Sequence, residues 1–196
     1  DRIITRFACE LGHPRRNEET PLRNLIADIL RDSFGIDLML MGSGAIRSYS
    51  LGPVVHYADL VECLPYDDAV YMLKVTGAQL ERMLRHILRD EAFQGEHTEF
   101  YQFSHGLRMV WSRSKGAFRE LTLDGEPLHP DRLYSVAVQK YHYNNLKDFL
   151  NISLEEAEQN GKVRVLSTSA RDVIEEYLTV NQHLSRTVEG RLVVEP

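Results

Sequence analysis

Apolar residues recur along this chain in two rhythms. Leu22, Leu25, Ile26, Ile29 and Leu30 fall at i, i+3, i+4, i+7 and i+8, which draws one stripe down a helix. Thr20 is placed to cap that helix, Pro21 suits its first position and Gly35 stops it. Leu80, Met83, Leu84, Ile87 and Leu88 repeat the stripe after Thr76-Gly77-Ala78-Gln79, whose Thr and Gln make a capping box. A further helix opens at Ser169 to Asp172 and carries Val173, Ile174, Tyr177 and Leu178. Shorter helical pieces are expected at 58–64, which Pro65 ends, at 145–150 and at 153–159. The other rhythm is the short apolar run of a strand. Such runs stand at 36–41, 70–75, 107–111, 118–123, 134–138, 162–166 and 187–194, with 2–9 also extended; Asp124-Gly125 marks a turn.

Strands and helices mix without a strict βαβ alternation. The pattern predicts an α+β (mixed α/β) fold: a single domain with one or more mixed sheets and several packed helices. The 196 residues hold no Gly/Ser linker and no repeat, so 1–196 reads as one domain. A chain of this length buries about 70% of its unfolded surface.

The net charge of −6 argues against a polynucleotide partner, which usually requires a cationic face. Arginine outnumbers lysine 18 to 5, which reads first as a bias of composition. Cys9 and Cys63 are too few for a disulfide framework or a Cys-rich zinc site; they read as buried thiols, with a bridge between them left open. No run approaches about 18 apolar residues, so no membrane span is expected. The chain starts at Asp1 without an initiating Met, and it is expected to be a piece of something longer.

Three segments carry chemistry. In Leu40-Met41-Gly42-Ser43-Gly44-Ala45-Ile46-Arg47-Ser48 an apolar strand empties into small residues and then an Arg, a pattern that brings free amides and a guanidinium fork to an anion. A tight turn with a surface Arg explains it equally well. In Cys63-Leu64-Pro65-Tyr66-Asp67-Asp68 a Pro fixes the loop behind an aromatic able to stack a flat ligand. Gln139-Lys140-Tyr141-His142-Tyr143-Asn144-Asn145 sets two aromatics among polar residues at a strand end, as a ligand rim or as a solvated loop with one Tyr buried. The eight histidines show no HExxH or His-x-His spacing, and no GxSxG elbow is present. His86, His97 and His105 read as surface histidines rather than as a metal site.

Taken in order, these segments resemble the C-terminal domain of the 5′-nucleotidase family, which includes UDP-sugar hydrolases and cyclic-nucleotide phosphodiesterases. Arg16 with Glu19 and then Pro21 to Asp28 resemble its Arg-x-x-Glu and Gly-Asn-Leu-hydrophobic-Ala-Asp. Gly42 to Arg47 resemble its Asn-Gly-Gly-Gly-Ile-Arg loop, and Leu64-Pro65-Tyr66 its Leu-Pro-Phe. Val75 to Leu80, Gly106-Leu107-Arg108 and Val136 to Tyr141 complete the set, over most of residues 5–180. Gly42 stands where the family has Asn, and Ser43 and Ala45 replace glycines. Asn144 to Asp148 replaces a Gly-Gly-Asp-Gly.

The resemblance implies a substrate-binding domain. Tyr66 and Tyr141 would sandwich a nucleobase, Arg16 and Arg47 would hold phosphate, and Gly42 and Gly44 would line the pocket. Asp148 is the nearest carboxylate for ribose, with His142 and Asn144 as substitutes. No cofactor is implied in this domain. A divalent metal pair would sit on an N-terminal metallophosphoesterase domain joined in cis; its Asp-x-His, Gly-Asp and Gly-Asn-His-Asp/Glu motifs do not occur here. The partners implied are a nucleotide or nucleoside and that domain, the fragment alone being inactive. The family favours a place outside the cytoplasm (periplasm, cell surface or secreted), with cytoplasmic members known. The alternative is a binding or interaction module that has lost nucleotide recognition. The two readings part on whether Tyr66, Tyr141, Arg16 and Arg47 converge on one concave surface.

Overall fold

The computed structural model of the chain describes residues 1–94 and 99–196, so His97 lies outside the described residues. Strands β1 (Ile3–Arg6) and β2 (Leu11–Gly12) precede helix α1 (Pro21–Phe34). Strands β3 (Leu38–Gly42), β4 (Ser50–Leu51) and β5 (Val54–His56) lead to α2 (Tyr57–Cys63), and β6 (Val70–Thr76) runs into α3 (Gly77–Ile87). Then come β7 (Tyr101–Phe103), β8 (Leu107–Ser112), β9 (Ala117–Leu123), β10 (Glu126–Pro127) and β11 (Leu133–Gln139). Helices α4 (Lys140–Tyr143), α5 (Leu146–Leu150) and α6 (Leu154–Glu158) follow, and β12 (Arg164–Ser167), α7 (Ala170–Val180) and β13 (Leu192–Glu195) complete the chain.

The expected helix signals act where they were read. Thr20 Oγ1 accepts the Arg23 amide at 3.4 Å, and Gly35 ends α1 in the left-handed region at φ 62°, its amide donating to the Arg31 carbonyl. Thr76 and Gln79 satisfy each other's backbone amides at the start of α3, at 3.1 and 2.9 Å.

The central sheet has the order β12-β6-β11-β3-β7. Alternation along its strands sends side chains to two cores. Met39 and Met41 face α1 and α7, where Leu25, Ile29, Ile174 and Leu178 are fully buried; Leu38 and Leu40 face Leu80 and Leu84 of α3 and Met109 of the second sheet. That second sheet has the order β10-β9-β8-β13; two small ladders, β1-β5 and β2-β4, pack into the core of α1 and α7 instead. The fold is a single mixed α/β domain, as the sequence pattern implies.

One feature of the central sheet positions everything that follows. β11 runs parallel to β3 and antiparallel to β6, with Gln139 opposite Val70. The chain leaving β3, the chain leaving β11 and the loop arriving at β6 therefore emerge on the same edge.

Several segments differ from expectation; β4, β5 and α4 form where no element is expected. β7 is a short, buried strand that pairs with β3 at the end of the sheet order and that no periodicity announces. Residues 187–191 are irregular rather than extended, and only Leu192–Glu195 pair, in parallel with β8. The reason lies far away in sequence: the Glu19 carboxylate accepts the amides of Glu189, Gly190 and Arg191 at 2.7–3.1 Å and bends the segment around itself. Cys63 is buried as expected, but Cys9 is exposed, and both thiols are free.

Beneath this bend lies a buried ion pair. Asp28, 1% exposed, accepts both guanidinium nitrogens of Arg191 at 2.7 and 2.8 Å; Arg186 Nε and the His105 amide supply two more bonds at 2.9 and 2.8 Å. Burial alone would push this carboxyl up in pKa. The hydrogen bonds and charge of Arg191, with Arg186 and the His105 amide, outweigh it and hold the group below the usual carboxylate range.

Candidate functional site

A cleft of about 580 Å³ opens on the edge where the three loops emerge. Arg16, Gly44, Arg47, Tyr66 and Tyr141 all line it, so five of the seven residues singled out in the sequence meet in one concavity. They arrive on four supports. Arg16 precedes α1, Gly44 and Arg47 leave β3, Tyr66 lies in the loop between α2 and β6, and Tyr141 stands in α4 directly after β11.

The other two stand elsewhere. Gly42 is buried under the cleft, where its amide donates to Gln139 Oε1 at 3.3 Å. A Cβ at this position would overlap the His142 ring, so the strand end and α4 close on each other only because residue 42 has no side chain. Asp148 is carried past the cleft by the turn from α4 into α5. It is outside the lining, and its backbone carbonyl accepts from His86 Nε2 at 2.7 Å.

The arginines are held by backbone. The Arg47 amide donates to the Cys63 carbonyl at 2.8 Å, which ties the loop after β3 to the end of α2; its guanidinium carbon lies 6.0 Å from the Tyr66 ring centre. Arg16 passes over Gly44, where a Cβ would sit 3.0 Å from Nη2. Below both, the fully buried Arg23 donates to the Arg15 carbonyl at 2.6 Å and the Ser43 carbonyl at 3.0 Å. Burial lowers its pKa to about 9, and its bonds pin the Arg16 segment to the loop after β3.

The tyrosines are held from behind and open in front. Tyr66 is 64% and Tyr141 52% exposed. The Tyr141 amide approaches Asp68 Oδ2 at 3.4 Å, and its carbonyl accepts from Asn145 Nδ2 at 2.7 Å. Behind Tyr141, the buried His142 takes a 2.6 Å hydrogen bond between Nδ1 and the Tyr101 hydroxyl.

Asp68, Glu99 and Lys140 also line the cleft and were not among the residues chosen from the sequence. Asp68 follows Tyr66 by two positions in a segment already noted, so proximity was its only signal; nothing in the pattern marks Glu99. Burial raises the Glu99 pKa, and nearby Arg16 opposes that rise. The arrangement offers two tyrosine rings more than half exposed, cations for an anion, and carboxylates that can accept from hydroxyl groups.

His142 gives the site a pH dependence. Burial pushes its pKa down to about 4, from 6.5. The unfolded chain therefore binds a proton that the folded chain refuses, and stability falls as pH drops from about 6.5 to about 4. A loss of up to about 3 kcal/mol over that window is expected, at 1.4 kcal/mol per pH unit. Denaturation at stepped pH checks it: His142→Gln should flatten that part of the curve.

Among the described residues, no group of three or more His, Cys, Asp and Glu converges in a way that could hold a metal ion. Among the same described residues, no helix is long and apolar enough to cross a membrane.

Comparison with known proteins bears on this geometry. A family model described as "5′-nucleotidase, C-terminal domain" matches residues 6–152. The endonuclease YhcR of Bacillus subtilis is 28% identical over 125 residues, which are 63% of this chain and 10% of that protein. Among solved structures, a 5′-nucleotidase precursor from Thermus thermophilus superposes with a TM-score of 0.80 at 20% identity, covering 100% of this chain and 40% of the other. The NAD nucleotidase of Haemophilus influenzae gives 0.75 at 15% identity, covering 99% and 38%. At these identities the structural likeness is one of fold. The chain spans a tenth of the curated relative's length and about 40% of these structures' length.

Proposed function

The chain belongs to the 5′-nucleotidase C-terminal domain family, and on that footing we propose that it holds the nucleotide for a phosphohydrolase whose hydrolytic machinery lies elsewhere in a longer protein. Tyr66 and Tyr141 stack the base between them, and Arg16 and Arg47 take the phosphate. The observation that carries this reading is their convergence on one cleft from separate loops. A module that had lost nucleotide recognition would have no reason to keep both rings uncovered beside both arginines. The carboxylate of Asp68 is better placed than that of Asp148 to accept ribose hydroxyls, because Asp68 lines the cleft.

The names of the similar proteins, nucleotidases and an endonuclease, support a phosphate-ester substrate. The division of labour follows the resemblance. All of 1–196 serves as the substrate-binding part, and a metallophosphoesterase domain joined in cis carries the divalent metal pair. Such a pair activates water and stabilises the leaving oxygen. The residues of this chain bind the nucleotide, orient it and present its phosphate at the open edge of the sheet. The word "precursor" in the name of the Thermus protein supports a place outside the cytoplasm.

Titrating the chain with AMP while following tyrosine fluorescence tests the reading. Saturable binding is expected, weakened about tenfold in Tyr66→Ala, the scale of one base–aromatic stack. Adenosine should bind Arg47→Ala and the unaltered chain alike. An absent response, or one unchanged in Tyr66→Ala, sinks the stacking model. With manganese added the chain should release no phosphate from AMP; release would overturn the division of labour.

A further inference from the structure

Arg47 lines more than the base cleft. It also lines a cavity of about 190 Å³ that Arg16 shares, and a third of about 550 Å³ beyond it. Tyr49 stands between the second and third, lining both. The three cavities therefore lie in series by their shared walls: the first two share Arg16 and Arg47, the last two Arg47 and Tyr49.

Tyr49 is 82% exposed, the most exposed large apolar side chain among the described residues. Its backbone is nonetheless fixed. The Tyr49 carbonyl accepts the His13 amide at 2.5 Å, and the next residue begins β4, whose Ser50 pairs with Gly12 of β2. An exposed ring on an anchored backbone offers a face on which a base can stack.

The far end of the series changes sign. Asp59 and Glu62 line the outer cavity next to Tyr49. A phosphate is welcome between Arg16 and Arg47 and repelled beyond Tyr49. The series suits a base, a phosphate and a second base, and then stops.

We propose that Tyr49 is a second stacking subsite, so that the favoured ligand is a dinucleotide: two bases joined through phosphate, the first in the Tyr66–Tyr141 cleft and the second on Tyr49. The proposal rests on the base-stacking reading of the cleft. The carboxylates at the end of the series set the limit at two nucleotides, in keeping with a chain of net charge −6.

Calorimetric titration of the 196-residue chain with AMP, a phosphodiester-linked diadenosine, a pyrophosphate-linked diadenosine and an adenine decanucleotide tests it. At least one dinucleotide should bind about tenfold tighter than AMP, the gain of one further stack. Whichever linkage gains identifies the source, a nucleic-acid end or a free dinucleotide. Tyr49→Ala should remove the gain and leave AMP binding as it was. The proposal falls if neither dinucleotide exceeds AMP, or if the excess survives Tyr49→Ala. A decanucleotide tighter than both would overturn the two-nucleotide limit. If AMP itself fails to bind, or binds Tyr66→Ala equally well, the stacking reading fails first and takes this inference with it.

Discussion

Asp28→Ala is expected to lower the stability of the chain by about 3–5 kcal/mol, the range for breaking a buried ion pair from one side. Arg191 is 4% exposed, and Asp28 supplies both acceptors for its terminal nitrogens. Deleting the carboxylate leaves that cation buried with only its bonds to the Phe103 carbonyl and to Glu189. Urea denaturation reads the loss. The double variant Asp28→Ala/Arg191→Met should recover much of it, because the buried cation that lost its main partner goes as well. A single-variant loss below about 1 kcal/mol would show that solvent reaches the pair. The pair also sets an acid limit. Its folded carboxyl lies below the unfolded value of about 3.9, so its contribution is complete above that pH and is lost as pH falls through the folded value. The His142 window lies higher, between about 6.5 and about 4, so acid should act in two stages.

Gly42→Ala is the second large effect. A single methyl group must enter space that the buried His142 ring fills, and His142 is fastened to Tyr101 on its other side. Overpacking of this kind costs about 1–3 kcal/mol. The binding effect should exceed what that loss suggests, because Tyr141 is the neighbour of His142 in α4 and moves with it. AMP affinity is expected to fall at least tenfold at a temperature where the variant is still folded. Gly42→Ala/His142→Ala, which opens the space again, should bind AMP better than Gly42→Ala alone. If the single variant binds AMP normally, the closeness of β3 and α4 does not set the position of Tyr141.

Local signals were legible wherever a residue's neighbours in sequence decide its conformation. The stripe from Leu22 to Leu30, with Thr20 before it and Gly35 after it, is α1, and Thr76 with Gln79 opens α3. What escaped depends on distant residues. Tyr101–Phe103 is too short to show a period and is a strand only because β3 offers it an edge. Residues 187–191 have the composition of a strand, but Glu19 draws their amides away from any ladder. The cleft was legible as ordered pieces, since its residues sit at the ends of apolar runs that the sheet gathers on one edge. Asp68 and Glu99 were not, because no spacing distinguishes a carboxylate that lines a cleft from one in solvent. Asp148 shows the reverse. It was near the expected place in sequence, and the turn between α4 and α5 set it outside the lining.

The link between Asp28 and Arg191 joins residues 163 positions apart. During synthesis α1 is finished early, yet its buried carboxylate has no guanidinium to meet until residues 186 to 191 have been made. The same is true of Glu19, whose three amide donors lie 170 to 172 positions downstream. A chain lacking Arg191 keeps the Arg186 and His105 bonds to Asp28 and the Asn24 bond to Glu19, but it loses the two-pronged guanidinium contact that most deeply buries Asp28. Closing this part of the fold therefore depends on contacts made across almost the whole domain.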